Sequence, residues 1–522
     1  MKKTMKQYSF ASRLKSFALV FGIALAFASC ANEDIAQNPN GTDNNKNFTI
    51  FSTGDPSTRT SMESNGAFYW EAGDKIWVKD DDGTWCQSSN TPTEKAASFR
   101  FEVPGKFTKT NTYKVYYPGK NGNQNQVTIA RSQSQAEPNT TAHFGTSGDC
   151  GMADATWSNS KNGFAFTLDH KAAYLLFLPR TGNTILHDCY LTKVEVNSDN
   201  DITDTYTLNP TTGELTGTGT GKQIVLETKG SSTYANGFPL TNNATSAATN
   251  GAYVVIKPGT HTLKICYWVK DIVTGTEGTI TKTLAQATYD QNKYYKITAN
   301  LNVHEYDGDH YYMWDAEEQY WKDYEWTKHL PGNTGQPTLN GNSSSNYAQS
   351  DADSRWYNTG GGSGRFDATH TSCKDLPNVN EMTWYAAKGD PRWDGDKLWA
   401  TMGHLYKGGM WFKKKSVLQT EGLYNRDNAV DGSDWRTENK YQTWSVSYTL
   451  PSAADADKYF YLPALGYYFS GQLTRVGLSG HYWSSSVFPS VSSNVYDLGF
   501  NSGVVIVGNF SRNNGFRVDG VE

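Results

Sequence analysis

Residues that could carry out chemistry are scattered along this chain, and they match no catalytic pattern. GxSxG, HExxH and phosphate-binding-loop sequences are absent from the 522 residues. Candidate metal ligands fall in three short groups in turn-like stretches rich in Gly, Asn and Asp, where solvated side chains are the simpler interpretation. The groups are His304, Asp307, Asp309 and His310; Asp199, Asp201 and Asp204; and Asp390, Asp394 and Asp396. We therefore predict that the protein is not an enzyme and uses no metal or other cofactor.

The first 30 residues are arranged like an export signal. Five basic residues precede the apolar run FALVFGIALAF, residues 17–27, which is too short to span a bilayer. The run leads into Ala28-Ser29-Cys30, and small residues before a cysteine are what a lipoprotein signal peptidase requires. We predict a signal peptide over 1–29, lipidation of Cys30, a polar tether over 30–46 and a location at the outer membrane or cell surface. The alternative is an ordinary signal peptide with a chance cysteine.

The composition describes a β-rich chain with many turns. About 490 residues follow the leader, which suggests two to four domains. There are 48 Gly, 32 Tyr and 16 Trp, and the net charge is −5 without a basic stripe. Nucleic acid is therefore not expected as a partner. Beyond Cys30 there are five cysteines without CxxC spacing, which argues against a zinc site or a disulfide framework but leaves a Cys189–Cys266 pair open.

Short segments of alternating polarity fill residues 47–302. FTIFST, TYKVYYPG, TLKICYWVKD and NKYYKITANL are examples, and turn residues separate them. This pattern predicts an antiparallel β-sandwich over 47–302. A stretch rich in Gly, Asn and Ser predicts a linker of irregular structure over 303–365. We expect residues 366–522 to form a second domain; residues 314–522 contain 11 of the 16 tryptophans.

The strand pattern of the first half resembles the fimbrillin family of pilus subunits and accessory proteins. STRTSM at 57–62, YWEAGDKIWV at 69–78, FTLDHKAAYLLFLPR at 166–180 and QNKYYKITANL at 291–301 carry the resemblance. It implies that an arginine-specific protease cuts after export, here at Arg59, and removes the strand FTIFST. A fimbrial stalk subunit would then fill the groove by donor-strand addition. Because a further domain follows, the resemblance also implies a tip subunit, which accepts a strand without donating one. A plain surface arginine in a turn is the alternative for Arg59.

Residues 366–522 resemble C-type-lectin-like domains, an α+β fold. LPNVNEMTW, LPALGYY, GHYWSSS, LGFNSGVV and RNNGFRV carry this resemblance, which extends to the variable proteins of diversity-generating retroelements. The Glu-Pro-Asn, Gln-Pro-Asp and Trp-Asn-Asp triplets of calcium-dependent lectins do not occur in this segment. The related formylglycine-generating enzymes need two working cysteines, whereas this segment has only Cys373. The resemblance therefore implies binding without catalysis.

Near the end of the chain, residues typical of a packed core alternate with positions of mixed chemistry, and this pattern predicts the ligand-binding surface. Trp483, Leu498, Phe500, Phe516 and Val518 have the types and spacing of packed residues, and the positions between them share no chemistry. Diversity-generating retroelements alter the adenines of asparagine codons. Many of these positions hold residue types that such changes would produce. A strand buried on both faces is the alternative reading of 504–510. The predicted ligand-binding residues are Val487, Phe488, Ser490, Asn494, Tyr496, Asp497, Asn501, Val504, Ile506, Gly508, Phe510, Asn513 and Asn514.

Together these features predict a lipid-anchored adhesin, either at the tip of a fimbrium or directly on the cell surface. The expected partners are a fimbrial stalk subunit, the membrane through the lipid, and a host or bacterial surface glycan or protein. The main alternative is a glycan-binding surface lipoprotein without a pilus role, in which aromatic side chains stack on sugars. An enzyme is the third possibility.

Overall fold

A computed structural model describes residues 48–53, 61–62, 68–230, 232–325 and 344–521. Strands account for 42% of the structure and helices for 8%. The β-rich character inferred from composition is therefore present. Cys30 and Arg59, and with them the predicted lipidation and cleavage positions, lie outside the described residues.

The strands are numbered in chain order. Strands β1 to β12 are Phe48–Thr53, Ser61–Met62, Phe68–Tyr69, Trp77–Lys79, Trp85–Gln87, Arg100–Pro104, Tyr113–Tyr117, Gln126–Ile129, Ser132–Ser134, Gly151–Ser158, Gly163–Phe166 and Asp169–His170. Strands β13 to β24 are Ala173–Arg180, Cys189–Ser198, Asp204–Leu208, Leu215–Thr216, Gln223–Glu227, Phe238–Pro239, Ala252–Ile256, Gly259–His261, Leu263–Asp271, Glu277–Thr283, Ala287–Tyr289 and Tyr294–Asn300. Strands β25 to β36 are His304–Tyr306, Tyr311–Tyr312, Arg392–Thr401, His404–Lys413, Gln442–Ser445, Tyr459–Pro463, Tyr467–Phe469, Gln472–Thr474, Ser479–Val487, Asn494–Asn501, Val504–Ser511 and Phe516–Arg517. Helices α1 to α4 are Phe144–Ser147, Ala247–Asn250, Val379–Lys388 and Lys415–Thr420.

Two larger sheets and several small ones make up the first half. One sheet has the order β5-β4-β7-β10-β11-β1-β6, and another has the order β22-β21-β14-β17-β9. Most neighbours are antiparallel, as predicted, but β1 runs parallel to β11, β13 to β24, and β9 to β17. An all-antiparallel sandwich is therefore wrong for these pairs. Each joins strands that are distant in sequence, and a parallel pair cannot be closed by a short hairpin.

The apolar run AYLLFLPR explains why its strand lies buried in the middle of a sheet in the first half. It forms β13, which lies between β19 and β24, and every residue except Arg180 is buried. An unbroken apolar run suits a strand that is covered on both faces. The alternating strands β14 and β21 instead bury one side chain in two over most of their length, and Val194, Val196 and Tyr267 join the same core.

The second half contains a four-stranded sheet, β25-β27-β28-β30, and a six-stranded sheet, β26-β36-β33-β34-β35-β29. Helix α3 begins in a capping box, in which the Asn378 side chain accepts a hydrogen bond from the Glu381 N–H at 3.0 Å and Glu381 Oε2 accepts one from the Asn378 N–H at 2.8 Å. The apolar side of α3 packs against one face of the six-stranded sheet. The helix contributes Val379, Met382 and Ala386, and the sheet contributes Leu498, Phe500, Val505 and Val507.

The aromatic segment at the start of 303–365 is part of this second half. Strand β26 pairs with β36, and Tyr311, Trp314 and Trp321 are fully buried. The indole N–H of Trp314 donates to the Ser484 carbonyl at 2.8 Å. This segment therefore supplies core side chains to the sheet that carries the predicted ligand-binding residues.

The two halves meet where the β21–β22 turn contacts β28, and the described residues from Phe48 onward belong to one compact unit. The Asp271 carboxylate accepts hydrogen bonds from the Leu405 N–H at 3.0 Å and from the turn N–H of Val273 at 2.8 Å. His404 Nδ1 lies 3.2 Å from the same carboxylate, and Thr274 Oγ1 donates to the Leu405 carbonyl at 3.0 Å. Asp271 is thus a buried polar anchor at the junction.

Cys86, Cys150, Cys189, Cys266 and Cys373 are buried free thiols, so the Cys189–Cys266 pair that the sequence left open does not form. Burial raises the pKa of the Cys189 and Cys373 thiols to about 12, which keeps both protonated. Within the described ranges, no helix is both long enough and apolar enough to cross a membrane.

Candidate functional site

Strand β1, the predicted removable strand FTIFST, is inserted between two strands that lie far from it in sequence. Phe51 is opposite Phe101 in the antiparallel pair with β6 and opposite Phe164 in the parallel pair with β11. Its backbone is therefore bonded on both sides. We call the space between β6 and β11 the β1 slot.

One side chain of β1 is central to the core around the slot. Phe51 is fully buried, stacks on Phe164 with ring centroids 5.0 Å apart, and meets Phe107 edge-on at 5.1 Å. Thr53 Oγ1 accepts hydrogen bonds from the Phe99 N–H at 3.0 Å and from the Trp70 indole at 3.2 Å. Removing β1 would open two rows of backbone groups together with an apolar hole, which is the arrangement that strand addition fills.

The second candidate region is the face of the six-stranded sheet that points away from α3. Strand β34 lies between β33 and β35, and Gly499 is opposite His481 on one side and Ile506 on the other. The predicted alternation is confirmed in β35, where Val505 and Val507 are buried and Val504 and Ile506 are only half-buried. The alternative of a strand covered on both faces applies around the buried Gly508 and not at Val504.

The predicted ligand-binding residues do not all reach this face. Phe488 and Tyr496 lie on the α3 side, where their rings meet edge-on at 5.2 Å, and Val487 belongs to the core around Trp483. Buried members of the set are Val487, Tyr496, Asp497, Gly508 and Asn514. Half-buried members are Phe488, Asn494, Val504, Ile506 and Phe510, and exposed members are Ser490, Asn501 and Asn513.

Four of the predicted residues line a groove together with side chains that were not predicted to bind a ligand. The groove has a volume of about 320 Å³, and we call it the β34 groove. It is lined by Val504, Ile506, Phe510 and Asn501 from the predicted set, and by Tyr467, Arg475, Ser479, His481 and Phe500. The period-two alternation that selected Val504 and Ile506 would also have selected Ser479 and His481 on β33. Tyr467 and Arg475 come from a separate hairpin and carried no such signal.

Gly499 and the hairpin tip shape the groove. A methyl group at Gly499 would lie 2.9 Å from Ile506 Cγ2 and 3.3 Å from His481 Nδ1, so a larger residue here would fill the floor. At the tip, Asn501 Oδ1 accepts hydrogen bonds from the Gly503 N–H at 2.8 Å and the Val504 N–H at 3.2 Å. The tip is thereby held in one conformation.

A buried histidine–aspartate pair lies beside the groove. His481 Nδ1 is 2.9 Å from Asp497 Oδ2, and Asp497 Oδ1 has no hydrogen-bond partner among the described residues. Burial raises the pKa of Asp497, and the contact with His481 opposes that rise. The rings of Tyr467, Phe510 and Phe516 surround the imidazole at centroid distances of 4.8, 5.3 and 4.8 Å. Asp497 therefore orients His481 and does not reach the surface itself.

The candidate metal ligands are only partly brought together. Asp307, Asp309 and His310 place ligand atoms within 4.8 Å of one another at the surface, and His304 is not in that group. Arg517 lies 3.6 Å from Asp307, and a neighbouring cation opposes metal binding. Asp390 pairs with Arg392, Asp394 accepts from the Trp411 indole, and Asp201 pairs with Lys257. These contacts fit the solvated-turn and structural interpretations.

No protein-family model matches the chain, and no curated protein matches it. Solved structures with a similar arrangement include cell adhesion and fimbrial proteins. A Bacteroides ovatus fimbrial protein is 11% identical, with 91% of this chain and 98% of that chain covered and a TM-score of 0.28. A Bacteroides ovatus protein with a suggested role in cell adhesion is 15% identical, with 49% and 93% covered and a TM-score of 0.30. The fimbrial anchor protein of Porphyromonas gingivalis is 12% identical, with 45% and 82% covered and a TM-score of 0.21.

Proposed function

We propose that this protein is a lipid-anchored surface adhesin that joins a fimbrium as its tip subunit. The observation that carries the proposal is the position of β1, which is paired on both sides and buries Phe51. In this proposal Cys30 carries the lipid, and proteolysis at Arg59 releases residues 1–59 together with β1. A strand of the fimbrial stalk subunit then occupies the β1 slot. Strand β36 is buried in its sheet, so it is not free to be lent to a neighbour.

The adhesive surface in this proposal is the sheet face around β34. The β34 groove is open to solvent, and its lining combines aliphatic, aromatic and cationic side chains. Open apolar surface next to well-placed polar groups is typical of binding sites. If the region is diversified by a retroelement, we expect variation at its exposed and half-buried positions. Sequencing the 3′ end of the gene across a population tests this, because variation at the buried Val487 and Tyr496 would disturb the core.

An arginine-specific protease tests the role of β1. We expect the purified protein to be cut to a product that begins at Thr60, and the cut product to bind a labelled FTIFST peptide. Arg59→Gln should block that cut, whereas Arg131→Gln, at an exposed arginine of the first half, should leave it unchanged. A peptide with alanine in place of Phe51 should bind at least about tenfold more weakly, because the apolar hole stays unfilled. Cleavage elsewhere, or a cut product without affinity for FTIFST, would contradict the proposal.

A second candidate function is glycan binding at the cell surface without a pilus role. Two aromatic side chains beside the edge strand β29 favour it: Tyr441 is 73% exposed and Tyr448 is 68% exposed. Exposed rings of this kind can stack on sugars, as they do on other planar or apolar faces. A glycan array with the wild type, Tyr441→Ala and Tyr448→Ala tests this function. If the wild type binds glycans on the array and both substitutions abolish that binding, glycan binding is favoured over the fimbrial role.

A further inference from the structure

We propose that the β34 groove binds the last residue of a partner polypeptide, with its apolar side chain in the groove and its free carboxylate on Arg475. This inference rests on the proposed function, because it names the ligand class of the same adhesive surface. Three features carry it: an apolar wall, and a cation and a buried hydroxyl that have no partner among the residues that the structure describes.

The apolar wall comes from β35. Val504, Ile506 and Phe510 project from the same face of the strand and are half-buried. Gly499 leaves the space in front of Ile506 open. Next to the groove, Leu478 is 64% exposed and extends the apolar surface beyond it. A volume of about 320 Å³ is at the small end of ligand sites, which fits one large side chain with its backbone.

Arg475 supplies the positive charge at the groove. Its side chain makes no ion pair or hydrogen bond with any residue in the described ranges, and the lining residues include no Asp or Glu. Its φ is 61°, in the left-handed region that a bulky residue seldom adopts. The Arg475 carbonyl accepts hydrogen bonds from the N–H groups of Leu478 and Ser479 at 2.9 and 3.0 Å, which hold this conformation. Strain that the structure maintains at a cleft is a common mark of a binding residue, and arginine pairs well with a carboxylate.

Ser479 and His481 supply further polar contacts on the opposite wall. Ser479 is 5% exposed, and its Oγ has no hydrogen-bond partner in the described part of the chain. A buried hydroxyl without a partner is unfavourable, so a rotation of the Ser479 side chain that brings Oγ to a ligand would add affinity. His481 is held by Asp497 and also lines the groove. These groups suit the carboxylate and amide of a chain end.

The same lining is poorly suited to a sugar. A sugar ring needs many hydrogen-bonding side chains, and Asn501 Oδ1 already accepts two backbone hydrogen bonds. Val504 and Ile506 are aliphatic and offer no flat face for stacking, and the rings of Tyr467 and Phe510 pack against His481. A polypeptide end therefore matches this groove better than a glycan does.

Fluorescence anisotropy with the purified full-length protein tests the proposal. The probes are a labelled hexapeptide ending in phenylalanine with a free carboxylate, and the same peptide with a C-terminal amide. We expect the acid to bind and the amide to bind about tenfold more weakly, since a charge-assisted contact is lost. Arg475→Gln should weaken binding of the acid by a similar factor, Arg475→Lys should restore part of it, and Arg426→Gln, at an exposed arginine outside the groove, should have no effect.

Gly499→Leu should abolish binding of the acid by filling the groove floor. If that variant unfolds, Val504→Asp provides the second test, since it adds a repelling charge at a half-buried wall position. Equal binding of acid and amide, or binding of an acidic oligosaccharide in place of the peptide, would overturn the proposal. If neither peptide binds but Gly499→Leu stops attachment of cells that display the protein, the ligand class is wrong and the adhesive role stands. If attachment is also unchanged, the adhesive role of this face fails as well.

Discussion

The β1 slot and the β34 groove are two proposed recognition regions that are built on different principles. In the slot, β1 is bonded along its backbone to β6 and β11, and Phe51 fills the core between them. In the groove, the contacts would come from side chains such as Arg475, Val504 and Ile506, which are exposed or half-buried. Substitutions in the slot should therefore change folding stability, whereas truncation of these groove side chains should change binding and leave stability nearly constant.

The largest expected effect is at Phe51. Phe51→Ala removes a fully buried ring and should lower the free energy of unfolding of the first half by about 3–5 kcal/mol. Chemical denaturation followed by circular dichroism measures it. Phe469→Ala, at a ring that is 60% exposed in the second half, is the matched control and should change stability by less than about 0.5 kcal/mol. Equal effects of the two substitutions would remove the contrast between the regions.

Asp271→Ala should uncouple the halves. The substitution leaves the Leu405 N–H without its acceptor at the junction, and we expect a loss of about 1–3 kcal/mol. Calorimetry should then resolve two thermal transitions that are closer together, or merged, in the wild type. Asp457→Ala, at an exposed aspartate, should leave the thermogram unchanged. A single unshifted transition in Asp271→Ala would mean that apolar contacts alone join the halves.

Acid should affect the halves in opposite directions through two histidines. Burial lowers the pKa of His143 to about 4, from an ordinary value of 6.5. Between about pH 6.5 and pH 4 the unfolded chain therefore binds a proton at His143 that the folded first half does not bind. Stability of that half therefore falls as the pH falls through this window. The pKa of His310 is raised by its contact with Asp307, so its small contribution is complete below about 6.5 and is lost as the pH rises. Denaturation at several pH values, with His143→Gln and His310→Gln, should flatten the respective slopes.

The smallest expected effect on stability is at Val504. Val504→Ser shortens a half-buried side chain near the hairpin tip and should cost less than about 1 kcal/mol. Binding of the acid-terminated peptide should nevertheless weaken several-fold, because the apolar wall is interrupted. The melting temperature and the peptide anisotropy, measured on the same sample, separate the two effects. A large loss of stability would place Val504 in the core and contradict the proposed division.

The sequence predicted the parts of both regions that depend on local pattern. FTIFST is a strand, and the alternation at Val504 to Val507 distinguishes the face on α3 from the groove face. The partners of β1 could not be predicted in the same way, since β11 begins more than 100 residues further along the chain. The buried position of Tyr496 depends on Trp435 and on the carbonyl of Glu438, which come from a separate loop. Arg475 was not predicted because its proposed role depends on a turn conformation that its residue type disfavours.

The two ladders of β1 also have a directional consequence. Because β1 runs parallel to β11 and antiparallel to β6, a strand that reuses both sets of hydrogen bonds has to enter the slot in one orientation. A reversed strand would meet both neighbours in a different bonding pattern, and its side chains would no longer match the hole left by Phe51. Each joint formed at such a slot would therefore have a fixed polarity, so that a fibre assembled through it would have distinguishable ends.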